Sequence, residues 1–264
     1  MARSFKHSQY PKIFKPLYPN NLTLSLKKQH VIMIAILFER VFMEGVLNFL
    51  TNINVIFTLL GYLIGGIPFG YALMKIFYGM DITKIGSGGI GATNVLRALQ
   101  SKSKGVSNAK QMALLVLILD LFKGMFAVFL SKLFGLDYSL QWMVAIASIL
   151  GHCYSPFLNF NGGKGVSTIM GSVVLLIPIE SLIGLTVWFF VGKVLKISSL
   201  ASILGVGTAT VLIFFVPYMH IPDSVNILKE VGTQTPMVLI FIFTLIKHAG
   251  NIFNLLAGKE KKVL

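Results

Sequence analysis

A glycine-rich segment about one third of the way along the chain carries the residues best suited to bind an anion. It reads GSGGIGATN from Gly86 to Asn94, and Arg97 follows three positions later. Glycines allow consecutive backbone N–H groups to turn towards one point and cradle an anion. Ser87, Thr93 and Asn94 add neutral donors, while the arginine adds a planar, permanent cation. The segment therefore predicts an anion site, first of all for phosphate, and a flexible connecting loop is the alternative.

Two later segments also combine glycine with polar side chains. The first, NGGKG over residues 161–165, holds Lys164 between glycines just before a predicted helix. An ammonium group and a helix N-terminus both favour a bound anion, and a lysine extended to water is the alternative. The second, over residues 248–260, carries His248 and Asn251 one helical turn apart. A histidine there can hold a phosphate or move a proton, and a solvated histidine is the alternative.

The remaining ionisable and nucleophilic residues are predicted to have structural roles and not catalytic ones. Asp120 and Lys123 lie three apart in an apolar segment, where charges are costly and usually paired, so we expect an ion pair near the site. His152 and Cys153 are adjacent, and neighbours in sequence seldom have nucleophile–base geometry, so we expect both to pack. No histidine is followed five positions later by aspartate, which excludes the His-x4-Asp acyltransferase dyad. No spacing predicts a metal site or a cofactor.

Composition places these segments in a membrane. The chain has 264 residues, of which 55% are apolar and 12% charged, with a mean hydropathy of +0.79. Soluble domains carry about 25% charged residues, so an all-α polytopic membrane protein is predicted. The net charge of +14 suits loops beside anionic lipid and then acidic substrates, and no nucleic-acid module is present. A single cysteine excludes an internal disulfide and a cysteine metal cluster.

Apolar runs and their breaks predict about seven transmembrane helices. Several of the later runs are shorter than the roughly 20 residues of a perpendicular span, so five or six spans are alternatives. In the first run, Gly61 and Gly65 have the small-xxx-small spacing that allows close helix contact. The predicted spans cover residues 55–78, 112–134, 140–158, 165–178, 179–195, 198–217 and 236–246.

Charge asymmetry between the loops predicts the orientation. The positive-inside rule places the lysine- and arginine-rich loops in the cytoplasm, so the first span begins outside and the C-terminus is cytoplasmic. All three glycine-bearing segments then face the cytoplasm. The opposite loops carry Asp137, Asp223, Lys229 and Glu230. The cytoplasmic set comprises Lys84, Arg97, Lys102, Lys104, Lys110, Lys164, Lys193, Lys196, Lys247, Lys259, Lys261 and Lys262.

The first 42 residues differ from the rest. They are strongly basic, with Glu39 their single acidic residue, and their apolar run Val31–Phe38 is too short to span. A basic surface arm, a targeting extension and residues upstream of the true start are three interpretations. We expect residues 1–42 to be a dispensable extension and residues 43–264 to form the integral membrane domain.

These segments, in this order, resemble the bacterial acyl-phosphate:glycerol-3-phosphate 1-acyltransferases, the PlsY family. The resemblance covers about residues 55–262, nearly everything but the extension. The resemblance rests on five segments: GYLIGGIPFGY (61–71), DITKIGSGGIGATNVLRAL (81–99), LDLFKG (119–124), GHCYSPFLNFNGGKGVST (151–168) and HAGNIFNLLAGKE (248–260).

The resemblance implies a fold, a location and a reaction. Family members are enzymes of the bacterial plasma membrane with about seven spans and three cytoplasmic motifs. They transfer a fatty acyl group from acyl phosphate to the sn-1 hydroxyl of glycerol 3-phosphate, giving lysophosphatidate and phosphate. The implied partners are therefore glycerol 3-phosphate, acyl phosphate and membrane lipid. Because acyl phosphate is already activated, the residues suit direct transfer without an acyl-enzyme.

The resemblance also implies roles for individual residues. Either His248 or the phosphate of the substrate takes the hydroxyl proton. The phosphates are bound or oriented by Ser87, Arg97, Lys164, His248 and Asn251. The acyl phosphate head is held by Gly86, Gly88, Gly89, Gly91, Thr93 and Asn94, and Gly162 and Gly163 are further substrate-binding candidates. Three positions depart from the family pattern, each losing a side chain that the family usually has: Gly89 for Asn, Ala249 for a basic residue, and Asn161 for Lys.

Two other classes of function compete with the enzyme. An anion transporter would use the same loops as a phosphate path, and the paired Asp120 and Lys123 are its best support. Against it, the polar groups collect at one face, and no inverted repeat with broken helices at mid-membrane is evident. A non-catalytic membrane scaffold is the third interpretation.

Overall fold

The chain forms helices throughout the residues described here. The computed structural model describes residues 20–101, 108–219 and 234–262, and every regular element in those ranges is helical. The prediction of an all-α protein is confirmed. The chain divides into two units, residues 1–52 and 53–264. In the first unit, helix α1 runs over Asn20–Thr51 and includes the short apolar run discussed above.

The second unit contains ten α-helices among the described residues. Short 3-10 turns lie at Ile82–Lys84, Pro156–Leu158 and Val216–Tyr218. The α-helices are α2 (Ile53–Gly66), α3 (Phe69–Tyr78), α4 (Ala92–Gln100), α5 (Ala109–Leu133), α6 (Tyr138–Cys153), α7 (Val166–Val173), α8 (Pro178–Leu195), α9 (Ser198–Leu212), α10 (Thr235–Lys247) and α11 (Ala249–Leu256).

Four stretches within the described ranges are long and apolar enough to cross a bilayer. The bent pair α10–α11, with an angle of 63°, makes a fifth if it is one span. All five coincide with predicted spans, but the count of seven is not confirmed. Over the predicted span 165–178, α7 has eight residues, which is about 12 Å of helix against about 30 Å of hydrocarbon. The four stretches are Ile53–Tyr78, Ala109–Leu133, Pro178–Leu195 and Ser198–Tyr218.

Glycines bring α2 and α6 into close contact, as their spacing predicts. A Cβ on Gly61 would lie 2.9 Å from the carbonyl oxygen of Val144, and one on Gly65 would overlap the backbone of Ser148. The Tyr62 hydroxyl also donates to the carbonyl of Tyr154 at 2.6 Å, just beyond the end of α6. This contact fixes the C-terminal end of α6, from which one wall of the site is built.

The first predicted span is broken at Pro68. Proline has no N–H and disfavours helix in the residue before it, so α2 ends at Gly66 and α3 begins at Phe69. Gly70 in the first turn of α3 packs directly on the carbonyl of Ile90, where any Cβ would overlap the oxygen. The break therefore holds the glycine-rich loop against α3.

The outward faces of the long helices are apolar. Phe122 of α5 and Phe189 of α8 are about half exposed, at 52% and 53%. Exposed aromatic side chains on these long apolar helices fit a lipid environment and not water. The largest buried apolar cluster lies between α5, α6, α7, α9 and α10, and it includes Trp142, Ile169 and Met237.

Candidate active site

The three glycine-bearing segments meet in one cavity of about 600 Å³. The first begins at Gly86 and the last ends at Glu260, and the helices bring them to a common wall. The sequence predicts that the three segments face the same side of the membrane, and the structure brings them to one cavity. Five of the predicted site residues lie together there: Ser87, Arg97, Lys164, His248 and Asn251.

The glycine-rich loop is organised from within by Asn94, which is only 3% exposed. Its Nδ2 donates to the carbonyls of Ile85 at 2.9 Å and Gly89 at 2.7 Å. Its Oδ1 accepts from the backbone N–H of Ser87 at 3.0 Å. Because these bonds occupy the whole amide, Asn94 is not the direct donor to acyl phosphate that we predicted. It shapes the loop that carries the other donors.

Gly86 also has a different place from the one predicted. Its φ of +61° lies in the left-handed region, and a Cβ there would overlap Oδ1 of Asn94. Gly86 is absent from the cavity wall, because it forms the turn behind the loop. The other predicted members of the loop do line the cavity: Gly88, Gly89, Gly91, Thr93 and Asn94.

Helix α4 begins at this loop and presents Arg97 to the cavity. Gly91 precedes the first turn, so the free N–H groups of the helix lie beside the loop. Thr93 fixes the helix against α9 through a 2.9 Å hydrogen bond between its hydroxyl and that of Ser198. Within the described ranges, the guanidinium of Arg97 has no hydrogen-bond or ion-pair partner. It is therefore available to a substrate anion.

The lysine loop lies on the C-terminal end of α6. The N–H of Gly163 donates to the carbonyl of His152 at 3.0 Å. A Cβ on Gly162 would overlap that carbonyl, and one on Gly163 would overlap the imidazole of His152. Both glycines, which are predicted to bind substrate, line the cavity and pack closely on α6. Lys164 follows immediately, and α7 begins two residues later.

A hydrogen-bonded network joins Lys164 to two other segments. Its Nζ donates to Oδ1 of Asn251. The Nδ2 of Asn251 donates to Oε1 of Glu260 at 2.7 Å, and the Ser199 hydroxyl donates to the same oxygen at 2.7 Å. Sequence analysis missed Glu260 and Ser199. The signal for Glu260 was present, because it is the one acidic residue among the lysines that follow α11.

The charges in the network shift the pKa values of both ends. Burial lowers the pKa of the Lys164 ammonium, and the charges of Arg97 and Lys247 lower it further against the opposing effect of Glu260. Partial burial by itself would raise the pKa of Glu260. The bonds from Ser199 and Asn251 and the charges of Lys164 and Arg97 outweigh it, so the pKa lies below its ordinary value.

Lys247 is a further cation that the sequence analysis did not assign to the site. It lines the cavity, and its Nζ lies 4.5 Å from the centre of the Tyr154 ring. A cation over an aromatic face is held electrostatically without losing its charge. The cavity therefore holds Arg97, Lys164 and Lys247 against the partly exposed Glu260, which suits phosphate groups.

His248 is 2% exposed at the end of α10 and lines the cavity. Its Nδ1 lies 2.9 Å from the carbonyl of Thr244. Because a carbonyl can only accept, Nδ1 carries the hydrogen, and Nε2 of the neutral ring is the acceptor. The ring can take a proton at Nε2 or, once charged, donate to a phosphate from it.

The predicted ion pair is present and buried beside the cavity. Lys123 Nζ lies 2.9 Å from Asp120 Oδ1, and the two side chains are 2% and 1% exposed. Asp120 itself lines the cavity. Cys153 is buried, as expected of a packing residue. His152 does more than pack, because its Nδ1 lies 3.5 Å from the same carboxylate oxygen.

Known proteins share this sequence and this fold. Residues 55–258 match the sequence profile of the family described as glycerol-3-phosphate acyltransferase. A glycerol-3-phosphate acyltransferase of Helicobacter pylori is 99% identical over 222 residues, which are 84% of this chain and all of that protein. One of Wolinella succinogenes is 44% identical over 218 residues, which are 83% of this chain and all of that protein. The chain belongs to the glycerol-3-phosphate acyltransferase family.

Solved structures agree with this assignment. The crystal structure of PlsY, an integral membrane glycerol 3-phosphate acyltransferase, in its glycerol 3-phosphate form superposes with a TM-score of 0.65 at 32% identity. The match covers 79% of this chain and 94% of that one. The lysophosphatidic acid form of the same protein has a TM-score of 0.65 at 33% identity. The protein is thus a membrane acyltransferase, and the transporter interpretation is set aside.

The pKa of Lys164 predicts how this acyltransferase responds to alkaline pH. A lysine binds phosphate only as the ammonium, and a lowered pKa means that the charge is lost at a lower pH than the ordinary value of about 10.4. We expect kcat/KM, which reports the free enzyme, to fall as pH rises through that lowered pKa. In Lys164→Arg the fall should move to higher pH, because guanidinium stays charged. If kcat/KM fell at the same alkaline pH in both proteins, Lys164 would not be the group whose charge binds phosphate.

The acyltransferase shows no metal centre in the part of the chain described here. No three His, Cys, Asp or Glu side chains within residues 20–101, 108–219 and 234–262 are arranged to hold an ion.

Proposed function

We propose that this acyltransferase moves a fatty acyl group from acyl phosphate to the sn-1 hydroxyl of glycerol 3-phosphate. The products are 1-acyl-glycerol 3-phosphate and inorganic phosphate, the first step of phospholipid synthesis. The observation that carries the proposal is that one cavity joins a cationic end to an apolar wall. Its apolar wall is formed by Leu117, Leu121, Met170, Leu185 and Trp188. A phosphate bonded to an acyl chain has this same division.

The residues of the cationic end divide between the two phosphate groups of the substrates. The glycine-rich loop, with Ser87 and Arg97, holds the acyl phosphate head. Lys164, Asn251 and His248 hold and orient glycerol 3-phosphate. Backbone N–H groups and fixed cations suit this reaction, because the enzyme mainly aligns two anions and stabilises the developing oxyanion.

The bond changes need no help from a protein nucleophile. The sn-1 hydroxyl oxygen attacks the carbonyl carbon of acyl phosphate, the bond from that carbon to the phosphate oxygen breaks, and phosphate leaves. Two acceptors serve the hydroxyl proton: Nε2 of His248 and the phosphate of glycerol 3-phosphate. The acceptor role of Nε2 follows from the bond that Nδ1 makes to Thr244.

The hydroxyl groups of the cavity support direct transfer. In the described residues, no histidine or carboxylate is hydrogen-bonded to the hydroxyl of Ser87. Ser199 does donate to Glu260 at 2.7 Å. A carboxylate whose pKa is below its ordinary value is too weak a base to activate a serine. We therefore expect no acyl-enzyme.

The apolar wall also indicates where the acyl chain lies. Leu117 and Leu121 belong to α5, whose other face carries exposed Phe122, so a chain in the cavity is close to lipid. The chain enters from the bilayer between spans, while glycerol 3-phosphate enters from water. By the positive-inside rule that water is the cytoplasm of a bacterial cell, and the enzyme lies in the plasma membrane.

A balance of products tests the proposal. Purified protein in detergent receives palmitoyl phosphate with and without glycerol 3-phosphate, and phosphate and lysophosphatidate are followed together. We expect phosphate release to require glycerol 3-phosphate and to equal lysophosphatidate. Parallel reactions with palmitoyl-CoA and palmitoyl-acyl carrier protein should give no product. Turnover with either of these donors, or none with palmitoyl phosphate, would contradict the donor assignment.

Removal of residues 1–42 should leave acyl transfer intact. The Helicobacter pylori relative matches 222 of the 264 residues, so 42 residues of this chain lie outside that match. The cavity is lined by residues between Thr83 and Glu260, far from the extension in sequence. The measurement compares kcat/KM of full-length and truncated protein, each shown to be inserted and monodisperse. A truncated protein that inserts normally but has no activity would refute dispensability.

A further inference from the structure

Three buried ionisable side chains lie directly beneath the lysine loop. Asp120, Lys123 and His152 are 1%, 2% and 3% exposed. The carboxylate oxygen Oδ1 of Asp120 lies 2.9 Å from Lys123 Nζ and 3.5 Å from His152 Nδ1. Taking charged groups out of water is costly, and the attraction between buried partners offsets that cost only when their geometry is good. An apolar trio would fill the space without that cost, so a role beyond packing is indicated.

Asp120 is connected to both ends of the lysine loop. Its carboxylate faces His152, on which the loop rests. Its backbone carbonyl accepts a 3.0 Å hydrogen bond from the hydroxyl of Thr168, in the first turn of α7 just after the loop. Lys123 anchors the carboxylate from the other side, because its Nζ also donates to the carbonyl of Ile67 at 2.7 Å. Asp120 of α5 thereby contacts both His152, on which the lysine loop lies, and Thr168, which follows the loop.

His152 forms the support itself. Its carbonyl accepts from the N–H of Gly163, and its ring lies where a side chain on Gly163 would be. The ring faces the carboxylate at 3.5 Å, and among the described residues Nδ1 of His152 and the Asp120 carboxylate make no hydrogen bond besides the ion pair with Lys123. Both residues line the cavity. The imidazole and the carboxylate therefore lie near hydrogen-bonding distance at the cavity wall. A small shift of either group would move the lysine loop relative to a bound substrate.

We propose that Asp120 and His152 are positioning residues that set the place of Lys164 in the cavity. The inference rests on the proposed function, in which Lys164 holds the phosphate of glycerol 3-phosphate. Asp120 holds the imidazole of His152, the imidazole and carbonyl hold Gly163, and Gly163 places Lys164. Lys123 offsets the negative charge of Asp120, so the carboxylate does not repel the anionic substrates.

The test separates the two substrates. His152→Gln and Asp120→Asn are purified beside the parent, and kcat and the KM for each substrate are measured on monodisperse protein. We expect the KM for glycerol 3-phosphate to rise at least 10-fold, with kcat and the KM for palmitoyl phosphate within about 3-fold of the parent. The thermal shift of the protein by glycerol 3-phosphate alone, without a donor, should shrink in parallel. Normal KM values in the folded variants would overturn the proposal.

A double variant distinguishes positioning from simple charge pairing. Asp120→Asn combined with Lys123→Met removes both charges, so a fold lost through an unpaired lysine is regained. We expect the KM for glycerol 3-phosphate to stay raised, and a return to the parental KM would overturn the proposal. Lys132→Met is the matched control, because Lys132 is also on α5 but donates to the carbonyl of Leu175, beyond the far end of α7.

The remaining outcomes are also decisive. Failure of all three Asp120 and His152 variants to fold would assign the cluster to folding alone and overturn the proposal. A parent that makes no lysophosphatidate would refute the proposed function instead. In that case the glycerol 3-phosphate thermal shift, which needs no turnover, still reports whether the cluster positions Lys164.

Discussion

Replacing Arg97 by alanine is expected to lower kcat/KM by about 30- to 900-fold, which corresponds to about 2–4 kcal/mol of lost transition-state stabilisation. The guanidinium lines the cavity and has no partner among the described residues, so a substrate phosphate is the group that it is free to pair with. Alanine supports α4 equally well, since it is the best helix former. Steady-state kinetics with both substrates provide the measurement.

The control for Arg97→Ala is Lys110→Ala. Lys110 is an exposed cation near the start of α5 and does not line the cavity, so its loss changes net charge by the same amount. We expect it to retain parental kinetics. A near-parental rate in Arg97→Ala would show that the residue takes no part in the reaction.

The second large effect is expected from Asn94→Asp, which changes one amide group to a carboxylate of the same shape. The carboxylate can still accept from the N–H of Ser87. It cannot donate to the carbonyls of Ile85 and Gly89, and it faces them with negative charge. Each buried group left unpaired costs about 1–3 kcal/mol, so the loop should open and kcat/KM should fall about 100-fold or more.

Activity and stability should respond differently to this change. Because Asn94 organises a loop and not the helix packing, we expect the melting temperature of Asn94→Asp to fall far less than its activity. Gln100→Ala, at the exposed end of the same helix, is the control and should leave both unchanged. An active Asn94→Asp protein would show that the loop keeps its shape without these hydrogen bonds.

The sequence predicts the site better than it predicts the roles within it. Glycine, lysine and arginine in three segments on one predicted side were sufficient to expect a single anion cavity, because membrane topology leaves few other arrangements. An asparagine in the loop looked like a substrate ligand. Whether its amide turns outwards or towards its own backbone depends on where the carbonyls of Ile82, Ile85 and Gly89 point, and residue types alone do not contain that information.

Long-range contacts explain the other omissions. Glu260 and Ser199 meet only because α9 and the segment after α11 lie side by side, and they are 61 residues apart in sequence. His152 was expected to pack, since its neighbour Cys153 suggested nothing more. Its role appears only when the lysine loop is seen lying on its ring. The number of spans could not be predicted for another reason. The bent pair α10–α11 and the short α7 have the apolar sequence of a membrane span but not the length and straightness of one.

The network from Lys164 through Asn251 to Glu260 affects when the enzyme can become active during its synthesis and membrane insertion. A polypeptide enters the membrane in order from its N-terminus, so the glycine-rich loop is in place long before Asn251 and Glu260 are made. Until the segment after α11 joins, Lys164 lacks its hydrogen-bond acceptor and the cavity lacks part of its wall. A nascent chain therefore lacks the complete network until its last segment is in place, and we expect catalytic competence to arise late in assembly.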